Sequence, residues 1–292
     1  MHQHEWIDKK EYPFKSHFLP LTMGRMHYVD EGNGSPIVMV HGNPTWSFLY
    51  RHLIKGLSKT HRCIAMDHIG FGLSDKPTEW SYLPEEHARN LEALLHHLDL
   101  KEITLIVHDW GGPIGLAYAI HHPDNVKNII LMNTWMWSAK GDPHYERFSK
   151  MIGGPIGRFL IKRFNFFVRV IMKQAMGDKS KLPPAIHQHY LKVARTPEER
   201  KGSWVFPKQI IGSSDWLSHL WSQRDKLKEK PTLILWGKKD IAFRKKELEQ
   251  WSALFLNKEV VVLEGVGHFV QEEKGEELCP IIERFLKQEQ EG

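Results

Sequence analysis

Apolar residues along this chain fall into short unbroken runs. Residues 36–40 read PIVMV, 62–66 RCIAM, 103–107 ITLIV, 128–132 NIILM, 232–236 TLILW and 259–263 EVVVL, each bounded by turn-forming residues. A strand that is apolar at consecutive positions has no solvent face, so the six runs predict strands buried on both sides of a sheet. Between them, residues 47–58, 83–99, 112–122 and 244–255 carry the apolar spacing of amphipathic helices. Strand and helix in alternation give a mainly parallel sheet covered on both faces. MHYVDEG at 26–32 predicts a further strand, which with the first residues adds an antiparallel edge. The fold class is α/β.

Between about 134 and 228 the rhythm stops, and the sequence becomes helical and rich in Trp, Phe, Lys and Arg. We read residues 1–133 and 229–292 as a core domain and 134–228 as an all-helical cap inserted into it. The insertion follows the C-terminal end of a strand, where open α/β sheets bind ligands. It is therefore expected to lie over the site as a lid that excludes water.

Charge sharpens that division. The whole chain carries a net +5, yet residues 150–201 hold twelve Lys and Arg against three Asp and Glu, an excess of +9 that leaves −4 elsewhere. The basic residues are scattered among Phe, Ile and Met at helical spacing, as on a solvated helical face, so no nucleic-acid partner is expected. The opening MHQHEWIDKKEYPF has no apolar run and no later stretch reaches membrane-spanning length, so no membrane partner and a cytoplasmic location are expected. Cys63 and Cys279 lie in a strand-like and a helix-like run and are expected to be buried free thiols. The pairs His2/His4 and His187/His189 lack further ligands at useful spacing, and no G-x-G-x-x-G occurs. No metal or cofactor is expected.

The chemistry concentrates in VHDWGGPIG at 107–115. A strand ending at Val107, two glycines and a helix from Pro113 form the strand–turn–helix context of a nucleophile elbow, with Asp109 where a serine commonly stands. Val107 replaces the first glycine of the common motif. A serine attacking a saturated carbon would leave an ether, which water cannot readily cleave, whereas a carboxylate leaves an ester that water can hydrolyse. Asp109 is also ionised at neutral pH without help from a base. It therefore predicts displacement at an sp³ carbon, against the competing role of a helix N-cap.

Hydrolysis of that ester needs a base, an orienting acid and an oxyanion hole. His268, in EGVGHFVQEE after the strand at 259–263, is the candidate base, and Asp240, at the end of LILWGKKDIAF, the candidate acid. The alternative for Asp240 is a cap on the helix that follows. The loop VHGNPTW at 40–46 and the residue after the nucleophile would supply the backbone N–H groups. Asn43 and Trp110 add neutral side-chain donors beside the nucleophile, suited to a leaving group that departs as a bare anion such as halide. The alternative is that Asn43 makes the turn and Trp110 packs under the lid.

In combination HGNPTW, DHIGFGLSDKP (67–77), HDWGGP and GHFVQEE resemble the haloalkane dehalogenases of the α/β-hydrolase superfamily, from about residue 12 to 287. The resemblance implies an α/β-hydrolase fold with a helical cap. It makes Asp109 the nucleophile, His268 the base, and Asn43 with Trp110 the halide-binding pair. One branch of the family places a glutamate after the strand at 128–132, where this chain has Asn133, so the resemblance is to the branch with an Asn–Trp halide pair and the late aspartate, Asp240. WVFPKQ at 204–209 resembles the segment whose Phe and Pro line the pocket, here Phe206 and Pro207, and Trp137, Phe148, Ile241 and Phe269 are further pocket candidates. The implied reactants are a halogenated alkane and water, and the products an alcohol and halide ion.

Three other readings share the fold. Epoxide hydrolases have the aspartate elbow but protonate an alkoxide with lid tyrosines, for which Tyr145 and Tyr190 are candidates; those that this chain resembles generally carry an aromatic residue at position 43. Fluoroacetate dehalogenases typically follow the aspartate with an arginine, where this chain has Trp110. A non-catalytic receptor would keep the pocket without needing the triad.

Overall fold

The computed structural model describes residues 5–291, so His2 and His4 lie outside it. All six apolar runs are strands of one eight-stranded sheet. The strands are β1 (His17–Leu21), β2 (Gly24–Glu31), β3 (Pro36–Val40), β4 (Arg62–Met66), β5 (Ile103–Asp109), β6 (Val126–Thr134), β7 (Thr232–Gly237) and β8 (Lys258–Leu263), in the order β1-β2-β4-β3-β5-β6-β7-β8. β1 and β2 form the antiparallel edge, with β2 also antiparallel to β4, and every later pairing is parallel.

Unbroken apolar runs are needed because alternate residues of one strand feed different cores. Val38, Val40, Leu105 and Val107 pack into one cluster with α2 (Pro84–His97) and α3 (Gly111–His121), through Leu91, Leu94, Ile114 and Leu116. Ile37, Met39 and Ile106 pack into the other with α1 (Arg51–Leu57) and α12 (Cys279–Glu291), through Leu53, Ile54, Ile282 and Phe285. Each such side chain is fully or almost fully buried, which stabilises the fold by about 1.5–3 kcal/mol apiece. Cys63 and Cys279 are both free and buried, and burial pushes their thiols up to about 12 and about 11.

Between β6 and β7 the chain is helical: α4 (Pro143–Ile152), α5 (Pro155–Phe164), a π-helical turn (Phe167–Ile171) running into α6 (Met172–Gln174), α7 (Pro184–Lys192), α8 (Lys201–Gly212) and α9 (Ser214–Ser222). After β7 come α10 (Lys245–Leu254) and, beyond β8, α11 (Val270–Lys274). Two adjacent acids of α11 fasten the inserted segment to α1 and to the loop after β8. Buried Glu272 pairs bidentately with Arg51 at 2.5 and 2.8 Å and accepts from the Tyr190 hydroxyl at 2.6 Å. Glu273 accepts from the backbone N–H groups of Gly177, Asp178 and Gly267 at 2.9, 2.7 and 2.8 Å.

Candidate active site

β5 ends in a sharp turn at Asp109, whose φ of +51° places a non-glycine residue in the left-handed region. The turn leaves no room for side chains behind it. A Cβ on Gly111 would stand 2.0 Å from the Val40 carbonyl oxygen, and one on Gly112 1.8 Å from Thr134 Oγ1. The Thr134 hydroxyl donates to the Asp109 carbonyl at 2.6 Å, tying the turn to the end of β6. α3 begins at Gly111, so the carboxylate lies at a helix N-terminus, where the dipole favours an anion.

The two carboxylate oxygens of Asp109 face different partners. Oδ1 accepts from the Asn43 backbone N–H at 2.7 Å, and the Trp110 backbone N–H also bonds the carboxylate. Oδ2 faces Nε2 of His268 at 3.7 Å, a charge contact longer than a hydrogen bond. Burial pushes the Asp109 carboxyl above its usual range, although His268 and the two backbone donors pull the other way.

On the far side of the imidazole, Nδ1 lies 2.9 Å from Asp240 Oδ2. Asp240 is itself held: Asn133 Nδ2 donates to Oδ2 at 2.7 Å and the Ala242 N–H to Oδ1 at 2.6 Å. Asn133, at the end of β6, thus holds Asp240 from the neighbouring strand. Burial alone would lower the His268 pKa, but the charge and hydrogen bond of Asp240, then the charge of Asp109, outweigh it and hold the imidazole above its ordinary value.

Asn43, Asp109, Trp110 and His268 open onto one cavity of about 110 Å³. That is well below the roughly 300–1,000 Å³ of pockets for drug-sized ligands, so the occupant is small. Among the described residues the Trp110 indole N–H meets no protein acceptor, and the Asn43 amide reaches only the Ser203 carbonyl, at 3.4 Å. Two neutral donors therefore remain largely uncommitted beside the carboxylate. The walls are apolar.

Of the residues expected to line the pocket, Pro207, Phe148, Ile241 and Phe269 do so, and two do not. Phe206 is fully buried and stacks on Trp110 at 5.1 Å and 17°, so it backs the indole instead of facing the void. Trp137 packs against Trp221 and Trp251 at 4.9 and 5.1 Å, away from the cavity. Trp135, Phe167, Ile171, Ile210 and Phe243 line it although no sequence signal singles them out. Of the two lid tyrosines, Tyr145 lines the cavity and Tyr190 is spent on Glu272. His108, adjacent to the nucleophile, also escapes a reading of the sequence: it is buried and neutral, and its Nε2 donates to the His268 carbonyl at 2.9 Å.

A mainly parallel sheet with an aspartate at a strand–helix elbow, a late aspartate and a histidine beyond the last strand is the pattern of an α/β hydrolase, and the chain belongs to the alpha/beta hydrolase fold family, matching it over residues 35–275. Within it the chain belongs to the haloalkane dehalogenase family. It is 40% identical over 281 residues to haloalkane dehalogenase 2 of Mycobacterium tuberculosis, covering 95% of this chain and 97% of that protein. It is also 34% identical over 283 residues to the cis-3-alkyl-4-alkyloxetan-2-one decarboxylase of Shewanella oneidensis, covering 94% of this chain and 89% of that one. Among solved structures, it is similar to the haloalkane dehalogenase DatA from Agrobacterium tumefaciens C58, with a TM-score of 0.86 at 26% identity, covering 97% of this chain and all of that one.

Proposed function

We propose that this chain is a hydrolytic dehalogenase that converts short haloalkanes and water to alcohols and halide through an ester on Asp109. The observation that carries the reading is the division of labour between the Asp109 oxygens: Oδ1 accepts from the Asn43 backbone N–H and Oδ2 is turned toward His268.

In the first step Oδ2 attacks the halogen-bearing carbon from the side opposite the halogen. The carbon–oxygen bond forms as the carbon–halogen bond breaks, and the halide leaves with both bonding electrons toward the Trp110 indole N–H and the Asn43 amide. No proton is needed there, which suits donors that cannot act as acids at neutral pH. In the second step His268 takes a proton from water, and the resulting hydroxide attacks the ester carbonyl carbon. The charge that develops on Oδ1 falls on the backbone N–H groups of Asn43, which already donates to that atom, and of Trp110, which bonds the same carboxylate. Collapse expels the alkoxide carrying the former Oδ2, which receives the proton from His268, and the proton left on the regenerated Asp109 carboxyl passes to His268, restoring the carboxylate. Asp240 keeps Nδ1 protonated and steadies the imidazolium.

Charge times the steps. While Asp109 is ionised it helps to hold the imidazole above its ordinary pKa. Esterification removes that charge, so the imidazole gives up its proton when a free base is required. Epoxide opening would instead need an acid at the leaving oxygen, and of the two lid tyrosines only Tyr145 reaches the cavity.

The decisive experiment is His268→Ala incubated with 1-bromobutane. One equivalent of bromide and a stable butyl adduct on Asp109 are expected by ion chromatography and peptide mass spectrometry. Unmodified protein with no bromide released would overturn the reading, as would turnover of an oxetanone or an epoxide by the wild type without any dehalogenation.

A further inference from the structure

Far from the cavity, three potential metal ligands converge on the surface. α2 presents Glu92 and His96 one turn apart on the same face, and His122 follows the last residue of α3. His122 Nε2 lies 2.5 Å from Glu92 Oε1, and His96 Nε2 lies 3.7 Å from the same oxygen. All three ligand atoms fall within 4.8 Å of one another, and the two imidazole rings meet edge to face at 5.5 Å between centroids. α3 runs its 11 residues from the elbow to this cluster, a separation of about 16 Å at 1.5 Å per residue, so the cluster takes no part in the reaction at Asp109.

We propose that Glu92, His96 and His122 form a Zn²⁺ site, with water as the fourth ligand. Two imidazoles and a carboxylate are a donor set that zinc accepts. Zinc–ligand bonds of about 2.0–2.2 Å put the ligand atoms of a tetrahedral site roughly 3.3–3.5 Å apart, so both the 2.5 Å and the 3.7 Å separations need adjust by about 1 Å or less. His96 and His122 are partly or fully exposed and can exchange a solvent shell for the ion without repacking a core. The bound ion would join the C-terminal half of α2 to the turn that leads into β6, tightening the face opposite the active site.

The test is calorimetric titration of chelator-treated, tag-free protein with ZnCl₂, beside the single variants Glu92→Gln, His96→Gln and His122→Gln. One tight equivalent is expected in the wild type, with affinity at least about tenfold weaker in each variant, as loss of one ligand implies. Saturating zinc should raise the melting temperature of the wild type more than that of His122→Gln, while bromide release stays unchanged in both. A wild type that binds no zinc up to about 1 mM would overturn the proposal. So would variants that bind as tightly as the wild type, because the ion would then be held elsewhere among the chain's nineteen histidines.

Discussion

Replacing Asp240 by Asn separates the two chemical steps. The residue is buried and both of its carboxylate oxygens are engaged. Oδ1 accepts from the Ala242 N–H at 2.6 Å, and Oδ2 faces His268 Nδ1 at 2.9 Å and Asn133 Nδ2 at 2.7 Å. An amide can supply only one oxygen. If that oxygen stays with the Ala242 N–H, the NH₂ group meets the donors of both His268 and Asn133. The imidazole must then turn or change tautomer, and Nε2 becomes the protonated nitrogen. The equivalent change in a serine triad lowers turnover by about 10⁴, and a lost hydrogen bond to a charged group costs about 1.5–3 kcal/mol. At about 1.4 kcal/mol per tenfold, the bond alone gives roughly 10–10², and with the tautomer change ester hydrolysis should slow by up to about 10⁴. Alkylation needs no base, so it should change by less than about tenfold. Rapid-quench kinetics with 1-bromobutane should therefore give one fast equivalent of bromide followed by a much slower steady state, with butylated protein accumulating. If the first equivalent slows by the same factor as the steady state, or no adduct builds up, Asp240 does not serve the hydrolytic base.

Two further predictions follow from the same geometry. Trp110→Phe keeps the ring stacked on Phe206 but removes the indole N–H, so alkylation should slow by about 10²–10³ while ester hydrolysis, which uses the backbone N–H, changes little; equal losses in both steps would refute the halide role. His268 must be neutral to activate water, and esterification removes the Asp109 charge that helps to raise its pKa, so turnover should persist through the raised value of the free enzyme and fall only at a lower pH. In stopped-flow with a pH indicator at about pH 6.5, a proton should appear with the first halide and not with the alcohol, because esterification discharges the imidazolium.

The sheet was legible because its strands are buried on both faces. β3 through β8 each coincide with an apolar run to within two or three residues, and the helical insertion announced itself by the absence of such runs between β6 and β7. β1, whose HFLPL is short and interrupted by Pro20, left no comparable signal. The candidate nucleophile, base and acid stood out in the sequence because strand, turn and helix patterns put each at a strand end. Cavity walls were not. Trp135 and Trp137 lie two residues apart in an irregular segment, yet Trp135 faces the void and Trp137 packs against Trp221 and Trp251. Only the crossing of cap and sheet decides between them, and no periodicity records that crossing. Asn133 illustrates a different gap: the sequence shows that the position is not acidic, but its bond to Asp240 exists only once β6 and β7 pair.

That pairing also explains why the histidine needs the cap. Asp109 ends β5 while His268 follows β8, three strands away in the sheet, a span of about 14 Å at 4.7–4.9 Å per strand. No strand can carry the imidazole across, so a loop must, and the loop is fastened at several points. The His268 N–H donates to the Ala175 carbonyl of the cap at 2.8 Å, the His268 carbonyl accepts from His108 at 2.9 Å, and Glu273 grips Gly267 together with Gly177 and Asp178. Glu273 lies outside the Asp109–His268 pair, yet its buried carboxylate holds both the His268 loop and the inserted segment that contacts it. Glu273→Ala would leave three backbone N–H groups without their acceptor, at about 1–3 kcal/mol for each that stays dry. The melting temperature should fall by several degrees, and ester hydrolysis should slow more than alkylation, since only the second step requires the imidazole in place. A folded variant with unchanged hydrolysis would mean that the loop positions His268 without the cap, and the positioning argument would fail even if Asp109 and His268 keep their roles.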